Sequence, residues 1–315
     1  MKRQYVNTLQ EGDSVRDYFV ATRKDLRAKQ DGGKFLGMVF RDKTGEIGGI
    51  LWNNATDTAR LFEVGSVVQV VGKVTSYQGR LQLRVEQVTP LRDCDYSRAD
   101  LVDMPENAAG ALEELRNLLS VVKQPHMRRL IDAFWEDAAF LEAFGAAAAA
   151  KKWHHEFRGG LVRHCCEMAR IALTMCELYP EMDQDILLTA VLLHDLGKIY
   201  EMSHDLHVDY TDAGKLVGHL QIGADMAQEK MRAIDGFPEP IRLHLVHCIL
   251  SHHGSLENGS PVLPKSLEAV VLHHIDNLDA QASAVSRIIR ETREKGQDWS
   301  EYVTLIDRVI WAKGS

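Results

Sequence analysis

Long apolar runs are absent from the sequence: its 315 residues contain no uncharged apolar stretch of about 18, the length that spans a bilayer. The opening segment lacks the apolar core of a signal peptide. Cysteine is scarce, with five residues and no CxxC spacing, which argues against a disulfide framework and a zinc ribbon. These absences predict a cytoplasmic protein with buried thiols and no membrane partner.

Positive charge is also in short supply, since 37 Lys and Arg face 45 Asp and Glu, giving a formal charge of −8. The shortage is confined to the later part of the chain, because residues 1–92 carry +5 and the remainder −13. A positive N-terminal part suits a nucleic-acid-binding platform. Chance asymmetry of a solvated surface is an equally open explanation.

Residues 1–92 show the alternation of β strands, broken by turn residues such as Gly32-Gly33. A single helix is expected near Asn54–Phe62, between the third and fourth strands. This order is that of an oligonucleotide-binding (OB) barrel, although other small barrels share the strand rhythm. The five predicted strands are Val15–Thr22, Lys34–Arg41, Glu46–Trp52, Val67–Tyr77 and Arg80–Val88.

Aromatic and basic residues are interleaved along these strands, a pattern that can stack bases and neutralise phosphates. Barrel cores also need aromatic residues, so an internal position is an open alternative for each aromatic side chain. Trp52 at a strand end and Tyr77 beside a turn are the best placed for stacking. The candidate nucleic-acid contacts are Lys34, Arg41, Trp52, Lys73, Tyr77 and Arg80.

Strand periodicity lapses over residues 93–107, which predicts a linker to a helical domain of residues 108–315. Helices are expected over Ala108–Val122 and Pro125–Phe144, and an amphipathic helix over Trp299–Lys313. The predicted fold class is therefore multi-domain, a small N-terminal OB barrel followed by an all-helical domain.

The helical part contains five histidines and two aspartates spaced like the ligands of a two-metal phosphohydrolase site. Two of them are adjacent within an apolar run of helical period, and a helical bundle can bring the others to the same pocket. Such a donor set suits Mn, Fe, Co, Ni or Zn better than Mg or Ca, which prefer oxygen ligands. The seven candidates are His164, His194, Asp195, His219, His252, His253 and Asp276.

Spacing leaves two choices open within this set. Asp279 is a rival of Asp276, because the two residues share a helix face. His252 and His253 can bind one ion together only at a helix end or a distorted turn, since adjacent helical side chains diverge by about 100°. If only one of them binds, the second ion is held loosely.

Three further residues are candidates for contact with a substrate phosphate. Lys198 follows His194 by one helical turn and is a candidate catalytic cation, with an ion-paired surface lysine as the alternative. His155 and Arg158 precede the first predicted ligand and are candidate phosphate-binding residues, although ordinary structural roles are equally open.

In its motifs the chain resembles the HD-domain phosphohydrolases, and more closely the YhaM-type 3′-5′ exoribonucleases, which join an OB domain to an HD domain. The resemblance covers almost the whole length. Its marks are Asp42-Lys43-Thr44-Gly45-Glu46-Ile47, Leu51-Trp52-Asn53, His154-His155-Glu156-Phe157-Arg158-Gly159-Gly160-Leu161-Val162-Arg163-His164, His194-Asp195-Leu196-Gly197-Lys198, Gly218-His219, Ser251-His252-His253-Gly254 and His274-Ile275-Asp276-Asn277-Leu278-Asp279-Ala280.

The resemblance implies two metal ions, most simply Mn²⁺, bridged by the catalytic Asp195. One ion would bind His164, His194, Asp195 and Asp276, and the other Asp195, His219, His252 and His253. It implies 3′-5′ hydrolysis of single-stranded RNA to nucleoside 5′-monophosphates by metal-activated hydroxide. That attack does not use the 2′-OH, so single-stranded DNA is a further candidate substrate.

Two other functions fit the same motifs. A phosphohydrolase of nucleotides or cyclic nucleotides would use the same metals, but it has no need of a basic barrel. A non-catalytic nucleic-acid-binding replication or regulatory factor would be expected to lack some ligands, and none is missing here. A homo-oligomer is compatible with the sequence, which does not determine stoichiometry.

Overall fold

The computed structural model describes residues 2–29, 32–102, 108–150, 157–204 and 206–314. The chain divides into two compact units, each with its own hydrophobic core. The first unit comprises Met1–Met104 with Asp205–Val208, and the second comprises Pro105–His204 with Asp209–Ser315.

The first unit contains a closed five-stranded barrel, which confirms the predicted OB fold. Its strands are β1 (Ser14–Ala28), β2 (Lys34–Asp42), β3 (Gly45–Leu51), β4 (Val67–Tyr77) and β5 (Arg80–Pro90), with the short helix α1 (Ala55–Ala59) between β3 and β4. Neighbouring strands follow the order β1-β2-β3-β5-β4, and β4 also pairs with β1. All pairs are antiparallel except β3 with β5.

Side chains alternate between the inside and the outside of the barrel along its strands, and the inward-facing ones fill its core. In β2, the side chains of Leu36, Met38 and Phe40 are buried, while the residues between them are partly exposed. A bulge in β4 beside Gly72 brings this residue so close to β5 that an added Cβ would lie 2.5 Å from the carbonyl oxygen of Arg84. Glycine is therefore required at this point of the barrel wall.

Strand β1 extends well beyond the predicted Val15–Thr22. Residues Ser14–Val20 pair with β4 and residues Val20–Ala28 pair with β2, and a bulge between Ala21 and Arg23 interrupts the second pairing. The added residues include Arg23, Lys24 and Asp25, whose polar character hides the strand from an analysis of apolar alternation.

The second unit is mainly helical, as predicted. The described residues also contain a two-stranded sheet of β6 (Met202–His204) and β7 (Val208–Tyr210). The helices are α2 (Ala108–Leu119), α3 (Pro125–Trp135), α4 (Ala138–Ala146), α5 (Gly160–Leu178), α6 (Gln184–Leu193), α7 (Lys198–Glu201), α8 (Asp212–Leu216), α9 (His219–Arg232), α10 (Glu239–Ser251) and α11 (Leu267–Glu294). None of the helices in the described ranges is long and apolar enough to cross a membrane.

The prediction of one helix over Pro125–Phe144 is wrong, because two helices occupy that region. Asp137 is the N-cap of α4, and its side chain accepts a hydrogen bond from the backbone N–H of Phe140 at 3.0 Å. Lys230 holds the same carboxylate at 2.8 Å. The cap starts a new helix within a continuous helical pattern.

The prediction of an amphipathic helix over Trp299–Lys313 is also wrong. Gly296, with φ of +68°, follows the end of α11, and antiparallel bridges then join Trp299 to Trp311 and Val303 to Arg308. Asp307 has a positive φ that reverses the chain between them. The spaced apolar residues are mostly exposed on this bridged segment: Trp299, Tyr302, Leu305, Val309 and Trp311.

Candidate metal centre and nucleic-acid interface

The first three candidate donors are buried in the core of the helical unit. His164 lies on α5 among apolar residues such as Cys165 and Met168. His194 is the C-cap of α6, a helix buried along nearly its whole length, and Asp195 begins the following turn. Each of these three side chains is at most 1% exposed, so their charges and lone pairs are shielded from solvent.

The other donors stand at helix ends or on the long final helix. His219 is the first residue of α9, and Asp276 lies within α11. His252 is the C-cap of α10 and His253 follows it in a turn. The adjacent histidines thus occupy the kind of helix end at which both side chains can point to one site.

A close backbone contact brings His219 toward the turn that carries Asp195. An added Cβ at Gly197 would lie 2.0 Å from the carbonyl oxygen of His219 and 2.7 Å from the backbone nitrogen of Gly223. Only glycine allows the turn and the start of α9 to approach this closely.

The donor atoms converge in two groups. In the first, His164 Nε2 lies 3.3 Å from His194 Nε2 and 3.2 Å from Asp276 Oδ1. In the second, the Nε2 atoms of His219 and His253 lie 3.2 Å apart. Three sets have donor atoms within 4.8 Å of one another: His219 with His252 and His253, His164 with His194 and Asp276, and His194 with Asp195 and His252.

Asp195 lies between the two groups and offers a different oxygen to each. Its Oδ2 is 3.3 Å from His194 Nε2, whereas its Oδ1 is 3.5 Å from the Nε2 atoms of both His219 and His252. This is the arrangement expected of a carboxylate that bridges two ions.

Every one of the five histidines is held through its Nδ1 atom. Nδ1 of His194 lies 2.9 Å from the carbonyl oxygen of Val191, and the corresponding partners of His252 and His253 are the carbonyl oxygens of Ile249 and Asn258. For His164 and His219 the partners are the carboxylates of Asp279 and Glu201. A ring that donates from Nδ1 presents the lone pair of Nε2, so the contacts turn five lone pairs toward the centre.

These donors fit divalent metal ions. Facing lone pairs at 3.2–3.3 Å repel one another unless a cation or a proton lies between them. Asp195 Oδ1 is buried and has no hydrogen-bond partner among the described residues, which is costly unless an ion binds it. Nitrogen donors mixed with carboxylates suit a transition metal.

Charge within the centre differs between the two groups. Burial disfavours the charged form of His164, but contacts with Asp276 and Asp279 outweigh it and raise the pKa of His164 to about 9. Burial lowers the pKa of His252 and of His253. Without metal, one group therefore holds a proton that metal must displace, while His252 and His253 of the other are ready to bind.

The predicted catalytic lysine contacts the predicted bridge. Lys198 begins α7, and its Nζ lies 2.5 Å from Asp195 Oδ2. Burial opposes the ionisation of Asp195, but Lys198 and His194 outweigh it and hold the pKa of that carboxyl well below its ordinary value. Of the two predicted phosphate-binding residues, Arg158 is exposed and His155 lies outside the described residues.

Two residues of this centre have roles that the sequence analysis did not predict. Asp279 contacts Nδ1 of His164 at 2.6 Å, on the ring edge opposite Asp276, so the two aspartates are partners of one ring rather than rivals. Glu201 contacts Nδ1 of His219 at 2.8 Å. The only local signal for Asp279 is its helical spacing from Asp276, and Glu201 has none.

Successive side chains of a strand point to opposite faces, and this alternation places five of the six predicted nucleic-acid contacts on the outer face of the barrel. Residues of the opposite face, such as Leu51 and Val74, are buried. Lys34 alternates with the inward-facing residues of β2, but it is the first residue of that strand and is exposed. The five outward residues are Arg41, Trp52, Lys73, Tyr77 and Arg80.

The pairing of the strands fixes how these residues are arranged. Lys73 on β4 pairs with Arg84 on β5, and these two residues form a short basic row beside Ile50 on β3. Tyr77 pairs with Arg80 at the hairpin end. That end lies roughly 20 Å along β5 from the level of Trp52 at 3.3 Å per residue, so the residues are spread along the face rather than clustered.

Trp52 contacts an aromatic and a basic neighbour. Trp52 is 45% exposed, and its ring lies 5.1 Å from the ring of Phe35, centroid to centroid. Lys29 donates to the carbonyl oxygen of Trp52 and places its ammonium 5.5 Å from the indole centroid. On the same face, Gly37 and Gly48 are outward positions without side chains.

Comparison with known proteins agrees with this architecture. A family model described as an HD domain matches residues 161–281, and one described as an OB-fold nucleic acid binding domain matches residues 20–91. The 3′-5′ exoribonuclease YhaM of Shouchella clausii is 34% identical over 310 residues, covering 96% of this chain and 94% of its own. The protein of the same name from a Geobacillus species is 32% identical over 286 residues, covering 90% of this chain and 87% of its own length.

Proposed function

The chain belongs to the YhaM family of 3′-5′ exoribonucleases, and we propose that it is a metal-dependent enzyme that shortens single-stranded RNA from its 3′ end. The observation that carries this proposal is the convergence of five Nε2 atoms and two carboxylates on a buried centre. We propose that it acts in the cytoplasm.

In this proposal, the seven donors hold two divalent ions. One ion binds His164, His194, Asp195 and Asp276, and the other binds Asp195, His219, His252 and His253. The separate groups, and the position of Asp195 between them, support the division. Manganese is the proposed metal because the donors combine imidazole with carboxylate, a set that also binds iron or zinc.

Bound ions of this kind supply Lewis acidity, which acidifies water and neutralises charge on phosphate oxygens. The residues of the chain contribute orientation and charge. The Nδ1 contacts hold the imidazoles in place, and the buried Lys198 ammonium offers a fixed positive charge to the scissile phosphate. The proposed products are nucleoside 5′-monophosphates, which form when the 3′ oxygen of the preceding nucleotide is the leaving group.

The outer face of the barrel is the proposed binding surface for the strand. Phe35 and Trp52 offer an exposed aromatic platform, and the basic row of Lys73 and Arg84 offers charge for the phosphates. Binding of this kind depends on stacking and backbone charge, so little sequence preference is expected. The proposed domain bounds are residues 1–92 for the barrel part, 93–107 for a linker and 108–315 for the helical part.

The test is product analysis with a 5′-labelled single-stranded RNA, with Mn²⁺ or with a chelator. We expect a metal-dependent ladder that shortens from the 3′ end, and no hydrolysis by Asp195→Ala, which should still bind the strand. Asp225→Ala, at an exposed position on α9, serves as the matched control and should retain full activity.

A parallel substrate of single-stranded DNA tests whether the 2′-OH is required. An intact RNA under every metal tried, despite binding by the wild type, would overturn the exoribonuclease proposal. Hydrolysis of small nucleotides by that same preparation would then support the nucleotide phosphohydrolase function.

A further inference from the structure

Two buried carboxylates outside the proposed donor set each contact one histidine of the centre. The first is Asp279, which is 5% exposed and lies on α11 three residues after Asp276. Its Oδ2 is 2.6 Å from Nδ1 of His164, while Asp276 Oδ1 is 3.2 Å from Nε2 of the same ring. The imidazole is therefore held between two carboxylates, of which only Asp276 faces the other donors.

The second carboxylate is Glu201, the last residue of α7, which is 8% exposed. Its Oε1 accepts hydrogen bonds from the backbone N–H of His219 at 3.0 Å and from Nδ1 of the same residue at 2.8 Å. One oxygen thus fixes both the start of α9 and the orientation of the ring.

The two carboxylates are divided between the two donor groups. Asp279 contacts a histidine of the group that contains His194 and Asp276, and Glu201 contacts a histidine of the group that contains His252 and His253. The other three rings of the centre rely on neutral backbone carbonyls. A carboxylate that accepts from Nδ1 fixes the tautomer and makes Nε2 a stronger donor to metal.

We propose that Asp279 and Glu201 are positioning residues, each of which sets the affinity of a different one of the two metal ions. This inference rests on the proposed two-ion centre. It goes beyond that centre by assigning one separate residue outside the donor set to each ion.

The test is calorimetric titration of Mn²⁺ into the metal-free full-length protein. We expect two binding steps in the wild type. Asp279→Ala should weaken one step about 10- to 100-fold, Glu201→Ala should weaken the other by a similar factor, and the double variant should weaken both. The conservative variants Asp279→Asn and Glu201→Gln keep an acceptor oxygen, so each should lose less affinity than the alanine variant.

Glu268 offers a matched control. It is 6% exposed on the same helix as Asp279, and it accepts from the backbone N–H of Asp183 at 2.8 Å, away from the donor atoms. Glu268→Ala and Glu268→Gln should change the thermal unfolding temperature without changing either metal-binding step. This control separates loss of a buried carboxylate from loss of orientation at a ligand.

A spectroscopic readout tests orientation directly. In metal-free protein with ¹⁵N-labelled histidine, Asp279→Ala should alter the ring-nitrogen signals of His164 and leave those of His219 unchanged, and Glu201→Ala should do the reverse. Equal affinities in the wild type and all five variants, or weakening of the same binding step by both single alanine variants, would overturn the inference. A wild type that binds no divalent ion would instead overturn the proposed function.

Discussion

Lys198 and Asp195 form a buried ion pair at the centre of the donor set, with Nζ 2.5 Å from Oδ2. The Lys198 side chain is 13% exposed, and that of Asp195 is 1% exposed. Because the pair is shielded from solvent, its charges interact more strongly than those of a surface pair. The lysine stabilises the ionised carboxylate that the proposed ions require.

The first prediction concerns this lysine. Lys198→Met keeps the length of the side chain but removes its charge, and we expect kcat for RNA hydrolysis to fall about 10²- to 10³-fold, the usual loss when one preorganised charge contact is removed. Strand affinity should change little, since the proposed binding face is on the barrel. Single-turnover hydrolysis together with fluorescence binding measures both quantities, and Lys215→Met, at an exposed position on α8, is the control.

A second prediction follows from the proton on His164. Its pKa of about 9 means that metal binding at this group displaces a proton at neutral pH, so affinity should rise about tenfold per pH unit as pH increases from 7 to 8. The pKa values of His252 and His253 lie below the ordinary 6.5, so those two rings release no proton in this range. Calorimetry in buffers of different ionisation enthalpy counts the protons, and pH-independent affinity in both steps would contradict the prediction.

The third prediction concerns Gly197. Gly197→Ala would place a Cβ 2.0 Å from the carbonyl oxygen of His219, so the turn and α9 must separate. We expect a destabilisation of about 1–3 kcal/mol, as for other overpacked positions, together with weaker metal binding. Denaturant unfolding measures the first effect. Gly37→Ala, where the nearest atom would lie 3.7 Å from the added carbon, should leave stability nearly unchanged.

The fourth prediction tests the barrel surface. Trp52→Ala should weaken binding of single-stranded RNA by about 1–3 kcal/mol, the usual contribution of one stacked base. Leu61→Ala removes another exposed apolar side chain, one outside the barrel strands, and should leave RNA affinity unchanged. Equal losses of affinity in the two variants would show that Trp52 has no specific role.

The barrel could be predicted because the patterns that indicate it lie within short segments of the sequence. Alternating burial in β2 and the turn residues between strands are visible in the sequence itself, and the bounds of β4 agree with the prediction. Five of the seven predicted donors lie at helix ends or in the turns that follow them, whereas His164 and Asp276 lie inside helices. Apolar segments around them form the core that brings these ends together.

Other features depend on partners distant in sequence. The contact of Asp279 with His164 joins residues 115 positions apart, so no local pattern identifies it. Helical spacing of the apolar residues after Trp299 was misleading, because Gly296 and Asp307 direct the chain into turns that the spacing does not reveal. The break at Asp137 is visible only as a capping residue within a continuous helical pattern.

The order of the donors along the chain has a consequence for synthesis. The barrel strands end at Pro90, but Asp276 is supplied by α11, which begins only at Leu267. Since chains are made from the N-terminus and domains fold in that order, a nascent chain can display the strand-binding face long before its metal centre is complete. The proposed metal centre can therefore form only after the final long helix has been made.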